Sequence, residues 1–160
     1  MDPELHPDLT SLSFLLATWR GEGDCTYPTI ESSHYGEELT FSHVGEPYLV
    51  YTQRSWMPED NAPVHLERGF LRPGAEGEVE LALAHPLGLT EIAHGTLHGT
   101  GLELSTAQGG VGRAHTGLAV TGIVRRYRVD GDVLRYEVDM ATEDTPMTRH
   151  LVAELRKVPA

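Results

Sequence analysis

Nine histidines, one cysteine and four methionines are the side chains of this 160-residue chain best suited to metal or cofactor chemistry. Their spacing limits what they can do. His94 and His98 stand four residues apart, which on a helix would put two ligands on one face, but Gly95 between them and Gly99 after them oppose a helix. On a strand the same pair shares a face at about 13 Å, too far to hold one ion, so zinc is not expected there. His6, His34, His43 and His115 fall among turn or solvated residues and are assigned no role. His85 differs. Val79, Leu81, Leu83 and His85 share one strand face, which sets an imidazole at the end of an apolar inward row. Such a histidine is either bonded to a backbone carbonyl in the core or stands as a polar group at the lip of a cavity. Met140 ends a similar row after Leu134, Tyr136 and Val138, and faces the same interior either as plain packing or as cavity wall.

Nucleophilic chemistry finds no support. Cys25 adjoins Asp24 and has no basic neighbour in sequence, so a depressed thiol pKa is not expected. No nucleophile elbow, phosphate-binding loop or dinucleotide fingerprint is present.

The elements that must position these residues are mostly strands. Leu9, Leu12, Leu15 and Leu16 predict one helix within residues 8–18, started at Pro7-Asp8. Short alternating runs follow, near 19–27, 34–43, 48–56, 65–72, 79–85, 90–98, 101–106, 120–129, 133–140 and 147–158. Turn residues separate them, including the Asp130-Gly131 hairpin signal. Residues 107–119, with three glycines in 108–112, read as the least structured stretch. The expectation is an all-β fold: an antiparallel barrel of about ten strands with one short N-terminal helix, forming a single domain over residues 1–160. A barrel wider than eight strands outgrows its own side chains and holds a cavity.

Charge excludes two classes of partner. Twelve Lys and Arg against twenty-four Asp and Glu give −12, and the longest basic run is Arg125-Arg126-Tyr127-Arg128. Nucleic acid and anionic membrane surfaces are disfavoured. A lone cysteine, an acidic N-terminus without a leader pattern and no apolar run near 20 residues predict a cytoplasmic protein.

Specific motifs go further. Ala17-Thr18-Trp19-Arg20-Gly21-Glu22-Gly23 followed by Tyr27-Pro28-Thr29-Ile30 resembles the opening signature of the nitrobindins, barrels akin to fatty-acid-binding proteins that hold haem b. The likeness continues through His43-Val44-Gly45-Glu46-Pro47, Tyr51-Thr52-Gln53, Gly69-Phe70-Leu71-Arg72, Ala84-His85-Pro86-Leu87-Gly88 and Met140…Pro146-Met147-Thr148-Arg149-His150-Leu151. The resemblance implies one haem b per chain with His150 as the axial iron ligand. It also implies Thr29 against the haem near the barrel mouth, Met140 on the pocket wall, His85 by the open face, and a structural Trp19. It further implies isomerisation of peroxynitrite to nitrate, reversible nitric oxide binding and, by family likeness, a homodimer.

Strand parity conflicts with part of this. His150 alternates with Val152, Glu154 and Arg156, whereas Leu151, Ala153 and Leu155 make the apolar row. Simple alternation turns His150 outward. Either a bulge re-aims the strand, or its two faces are not polar and apolar in the ordinary sense. Two other readings remain open: a carrier of a lipid or other apolar small molecule, for which Arg54 and Arg126 are the candidate internal arginines, and a non-catalytic haem-based nitric oxide sensor or store.

Overall fold

The computed structural model describes residues 2–160. A 3₁₀ helix over Pro7–Leu15 is followed by ten strands: β1 (Ala17–Tyr27), β2 (Ile30–Ser42), β3 (Leu49–Trp56), β4 (Pro63–Pro73), β5 (Glu78–His85), β6 (Leu89–His98), β7 (Gly101–Arg113), β8 (Val120–Asp130), β9 (Val133–Thr142) and β10 (Thr148–Lys157). Each strand pairs antiparallel with its sequence neighbours, and β1 pairs with β10, closing the barrel. Closure pairs the first strand with the last and so removes the two outer edges that an open sheet would present.

The helix is tighter than the leucine pattern predicts for an α-helix. Leu9, Leu12 and Leu15 recur every three residues, the period of a 3₁₀ turn, and all three are fully buried. Leu16 falls outside the helix at its C-cap. The three leucines plug one end of the barrel against Trp19, Leu39, Leu49 and Leu71. Trp19 is 1% exposed, and its indole N–H donates to the Leu15 carbonyl at 2.9 Å, tying β1 to the plug.

Alternation sorts the strands into an inward core and an outward polar face. Leu134, Tyr136 and Val138 of β9 are buried, and Met140 is half-buried at the end of the row. The stretch expected to be least structured is largely strand, since β7 continues to Arg113. Its pairing with β6 jumps from Thr106 to Val111 opposite Ala93 and Glu91, so the glycines there serve an irregular ladder rather than a loop. The β8–β9 turn needs only Gly131 and Asp132, with Gly131 at φ 60°. No helix among the described residues is long and apolar enough to cross a membrane.

Register shifts gather at the end opposite the plug. Three of them fall between Cys25 and Tyr27 on β1, between Val120 and Gly122 on β8, and between Arg149 and Leu151 on β10. Bulges at a barrel rim re-aim side chains, and these three surround an opening.

Candidate functional site

Below that opening lies a cavity of about 520 Å³, within the range of about 300–1,000 Å³ usual for small-molecule and cofactor sites. Thr29, His85, Met140 and His150, from four separate parts of the chain, all line it. Its apolar wall includes Leu89, Val120, Ile123, Val138 and Leu151.

His150 reaches the cavity because β10 breaks step. Arg149 pairs with Asp139 and Leu151 with Val138, so His150 is an extra residue opposite no partner on β9. The bulge turns it inward while Leu151, Ala153 and Leu155 keep their places against the core. The imidazole is then fixed on two sides. Its Nδ1 lies 3.0 Å from the Thr26 carbonyl oxygen, and the Tyr27 ring meets it edge-on at 5.3 Å between centroids. A carbonyl only accepts, so Nδ1 carries the hydrogen and Nε2 is left with the lone pair. Burial lowers the His150 pKa below the ordinary histidine value; the Thr26 bond acts against it, and His65 adds to it. A neutral imidazole with one nitrogen anchored by a carbonyl is what an axial metal ligand requires. Tyr27 also donates to the Met140 carbonyl at 3.0 Å, linking the mouth of β1 to β9. Cys25 lies 4.0 Å from His150 Nδ1, and burial pushes its thiol pKa up, with a Ser33 bond opposing. A raised thiol pKa disfavours the thiolate that nucleophilic chemistry needs.

His85 is not bonded to a backbone carbonyl. It stands over a buried ionic cluster, with Nδ1 3.1 Å from Glu67 Oε2 and 3.3 Å from His65 Nε2, and Nε2 3.1 Å from Glu91 Oε1. Beneath it Arg125 donates Nη1 and Nη2 to the two oxygens of Glu67 at 2.9 and 3.0 Å, and Nε and Nη2 to those of Glu91 at 2.8 Å each. Tyr51 donates to Glu67 Oε1 at 2.7 Å. Burial, the largest single influence, would raise both carboxyls; Arg125 together with His65 and His85 at Glu67, and with His85 at Glu91, outweighs it and holds Glu67 well below, and Glu91 below, the usual range. A bidentate guanidinium between two carboxylates is the geometry in which a buried ion pair survives desolvation.

This cluster corrects the expectation for internal arginines. Arg54 and Arg126 point outward and pair with Glu38 and with Glu103 and Asp139, respectively, while Arg125 is the buried one. It shares parity with Tyr127 and Val129, also buried, and that alternation was the available signal. Because both of its faces are spent on Glu67 and Glu91, Arg125 is not free to grip a fatty-acid carboxylate. His65 and Glu67 were also missed; they lie two apart on one face of β4, a spacing legible once that strand is placed.

A second buried carboxyl, Glu37, accepts a hydrogen bond from Tyr136, whose hydroxyl lies 2.7 Å from that of Tyr35. Burial pushes the Glu37 pKa up to about 8. It is therefore neutral at pH 7.

The chain matches the family model described as "THAP4-like, heme-binding beta-barrel domain" over residues 8–157. It is 45% identical over 159 residues to "Peroxynitrite isomerase 2" of Mycobacterium marinum, covering 98% of this chain and 99% of that protein. It is 44% identical over 155 residues to "Peroxynitrite isomerase" of Nocardia farcinica, covering 96% and 92% respectively. Among solved structures, the crystal structure of Rv2717c from M. tuberculosis superposes with a TM-score of 0.90 at 43% identity, over 98% of this chain and 100% of that one. With a closed ten-stranded barrel, an inward-turned neutral histidine and a cavity of matching scale, this chain belongs to the THAP4-like haem-binding β-barrel family, the nitrobindin family that its motifs resemble.

Proposed function

We propose that this protein binds one haem b per chain through His150 and, in the ferric state, isomerises peroxynitrite to nitrate. The observation that carries the reading is the bulge at His150, which delivers to the cavity an imidazole whose Nδ1–H is committed to the Thr26 carbonyl and whose Nε2 is free to ligate. The names of the mycobacterial and nocardial relatives support the activity. Bound there, haem supplies a Lewis-acidic iron for an anionic oxygen ligand such as peroxynitrite, and a site that takes nitric oxide reversibly.

The rest of the work belongs to the chain. The Thr26 carbonyl fixes the tautomer of His150, and the Tyr27 ring fixes its plane. Thr29 at the β1–β2 turn and Met140 on β9 flank the cofactor at the mouth and wall. The apolar lining would keep water away from the bound group. His85 Nε2 is held by Glu91 and Nδ1 is turned toward Glu67 and His65, so His150 is the histidine that would hold the iron.

Adding haemin to the purified chain tests this directly. A Soret band that saturates at one equivalent, and accelerated decay of peroxynitrite to nitrate by that complex, are expected. His150→Ala should remove the band while far-UV circular dichroism stays that of a barrel. Full haem retention by the variant with an unshifted Soret band would refute His150 as the ligand.

A further inference from the structure

We propose that His65, Glu67 and His85 form a second, haem-independent site in the cavity, binding one divalent zinc ion. The three donor atoms meet at one point. His85 Nδ1 lies 3.3 Å from His65 Nε2 and 3.1 Å from Glu67 Oε2, and His65 Nε2 lies 3.5 Å from the same oxygen. A tetrahedral zinc ion with bonds of 2.0–2.1 Å holds its ligand atoms about 3.3 Å apart. The triangle thus has the edge lengths of one face of that tetrahedron. Two imidazole nitrogens and one carboxylate oxygen are also the donor set of open zinc sites, whereas magnesium and calcium demand six or more oxygens.

The surroundings match a metal site in their hydrogen bonding. Glu91 Oε1 can only accept from His85 Nε2, which places the hydrogen of a neutral ring there and leaves Nδ1 as a lone pair. That lone pair faces the lone pairs of Glu67 Oε2 at 3.1 Å, an acceptor against an acceptor. A shared cation turns the contact into coordination. The Glu91–His85 bond is then the carboxylate–histidine contact that orients metal-bound imidazoles, and Arg125 Nη2 on Glu67 Oε2 is the matching bond on the carboxylate ligand. Charge agrees as well. Glu67 and Glu91 bring two buried negative charges and Arg125 one positive, so with His65 and His85 serving as neutral ligands the carboxylates outnumber the guanidinium by one. All three ligands line the cavity, so the fourth position of the ion is open to a small molecule.

The histidine pair rejected from spacing, His94 and His98, lies on one strand. This site instead joins β4 to the end of β5, which linear spacing does not reveal.

Zinc alone, titrated into the chelator-treated full-length chain in competition with a chromophoric chelator, is the test. One ion per chain is expected, with cobalt in its place giving the intense visible absorption of a tetrahedral centre. His65→Ala, at a side chain that is a quarter exposed, should weaken binding by about 100-fold or more. If that variant fails to fold by circular dichroism, His65→Gln reads the same loss. His94→Ala and His150→Ala should each leave affinity within about threefold, which also separates this site from the haem ligand. Binding unchanged in the His65 variants, or lost in His150→Ala, overturns the assignment. Absence of stoichiometric binding overturns it too, and assigns the His85–Glu67 contact to a second ring proton instead.

Discussion

Replacing Glu37 by glutamine isolates the cost of keeping a carboxyl in the barrel interior. Glu37 is 1% exposed, and its pKa rises from 4.5 to about 8 mainly through burial, with Glu67 adding to the rise and the Tyr136 and Gln53 bonds and Arg125 opposing it. Below pH 4.5 the group is protonated both folded and unfolded. Between 4.5 and about 8 the unfolded chain has given up a proton that the folded chain keeps, so stability falls as pH rises. Above about 8 the loss is complete. At about 1.4 kcal/mol per pH unit the full interval is worth roughly 5 kcal/mol, and relaxation of the buried site brings the expected value to about 2–5 kcal/mol. Glutamine keeps the shape and can still accept from Tyr136, but it has no proton to lose. Urea denaturation of the haem-free chain at several pH values between 4.5 and 9 reads the difference between variant and wild type, in which the histidines and other carboxylates cancel. With a slope of about 2 kcal/mol per molar urea, the midpoints should separate by about 1–2.5 M across the interval. Wild-type and variant curves that run parallel over the whole range would refute the reasoning.

Two further outcomes follow from the same structure. Arg125→Leu leaves Glu67 and Glu91 buried without their cation and should cost about 3–5 kcal/mol at pH 7; because burial alone raises these carboxyls, the cost should begin to shrink above pH 4.5 as they protonate in the variant, and shrink further below it as those of the wild type do; a urea midpoint unchanged from wild type would show that the cluster is not held by the guanidinium. Haem, once loaded, should be released on acidification only below the ordinary histidine value of 6.5, since burial lowers the His150 pKa and the proposed iron ligation would lower it further. A Soret titration with its release midpoint above 6.5 would contradict the environment described for His150.

The barrel was legible because its rules are local. Alternation placed Leu134, Tyr136 and Val138 inside, and Gly131 marked a turn that the structure makes with two residues. The leucines of the plug were recognised as helical, although their spacing of three is that of a 3₁₀ turn. What escaped was non-local. Arg125 meets Glu67 across 58 residues and Glu91 across 34, and no window of sequence contains such a pair. The inward position of His150 was suggested by a motif, and parity argued against it. Parity presumes unbroken pairing, and the bulge that breaks it depends on β9, a different strand.

That extra residue on β10 has a genetic consequence. Because strand facing is a matter of counting, deleting one residue beside Arg149 would restore the alternation and turn an imidazole out to solvent, with every core side chain kept. Insertion would do the reverse in a barrel that lacks the bulge. Gain or loss of the proposed axial ligand is thus reachable by a single three-base indel, an event that scans of amino-acid substitutions never sample.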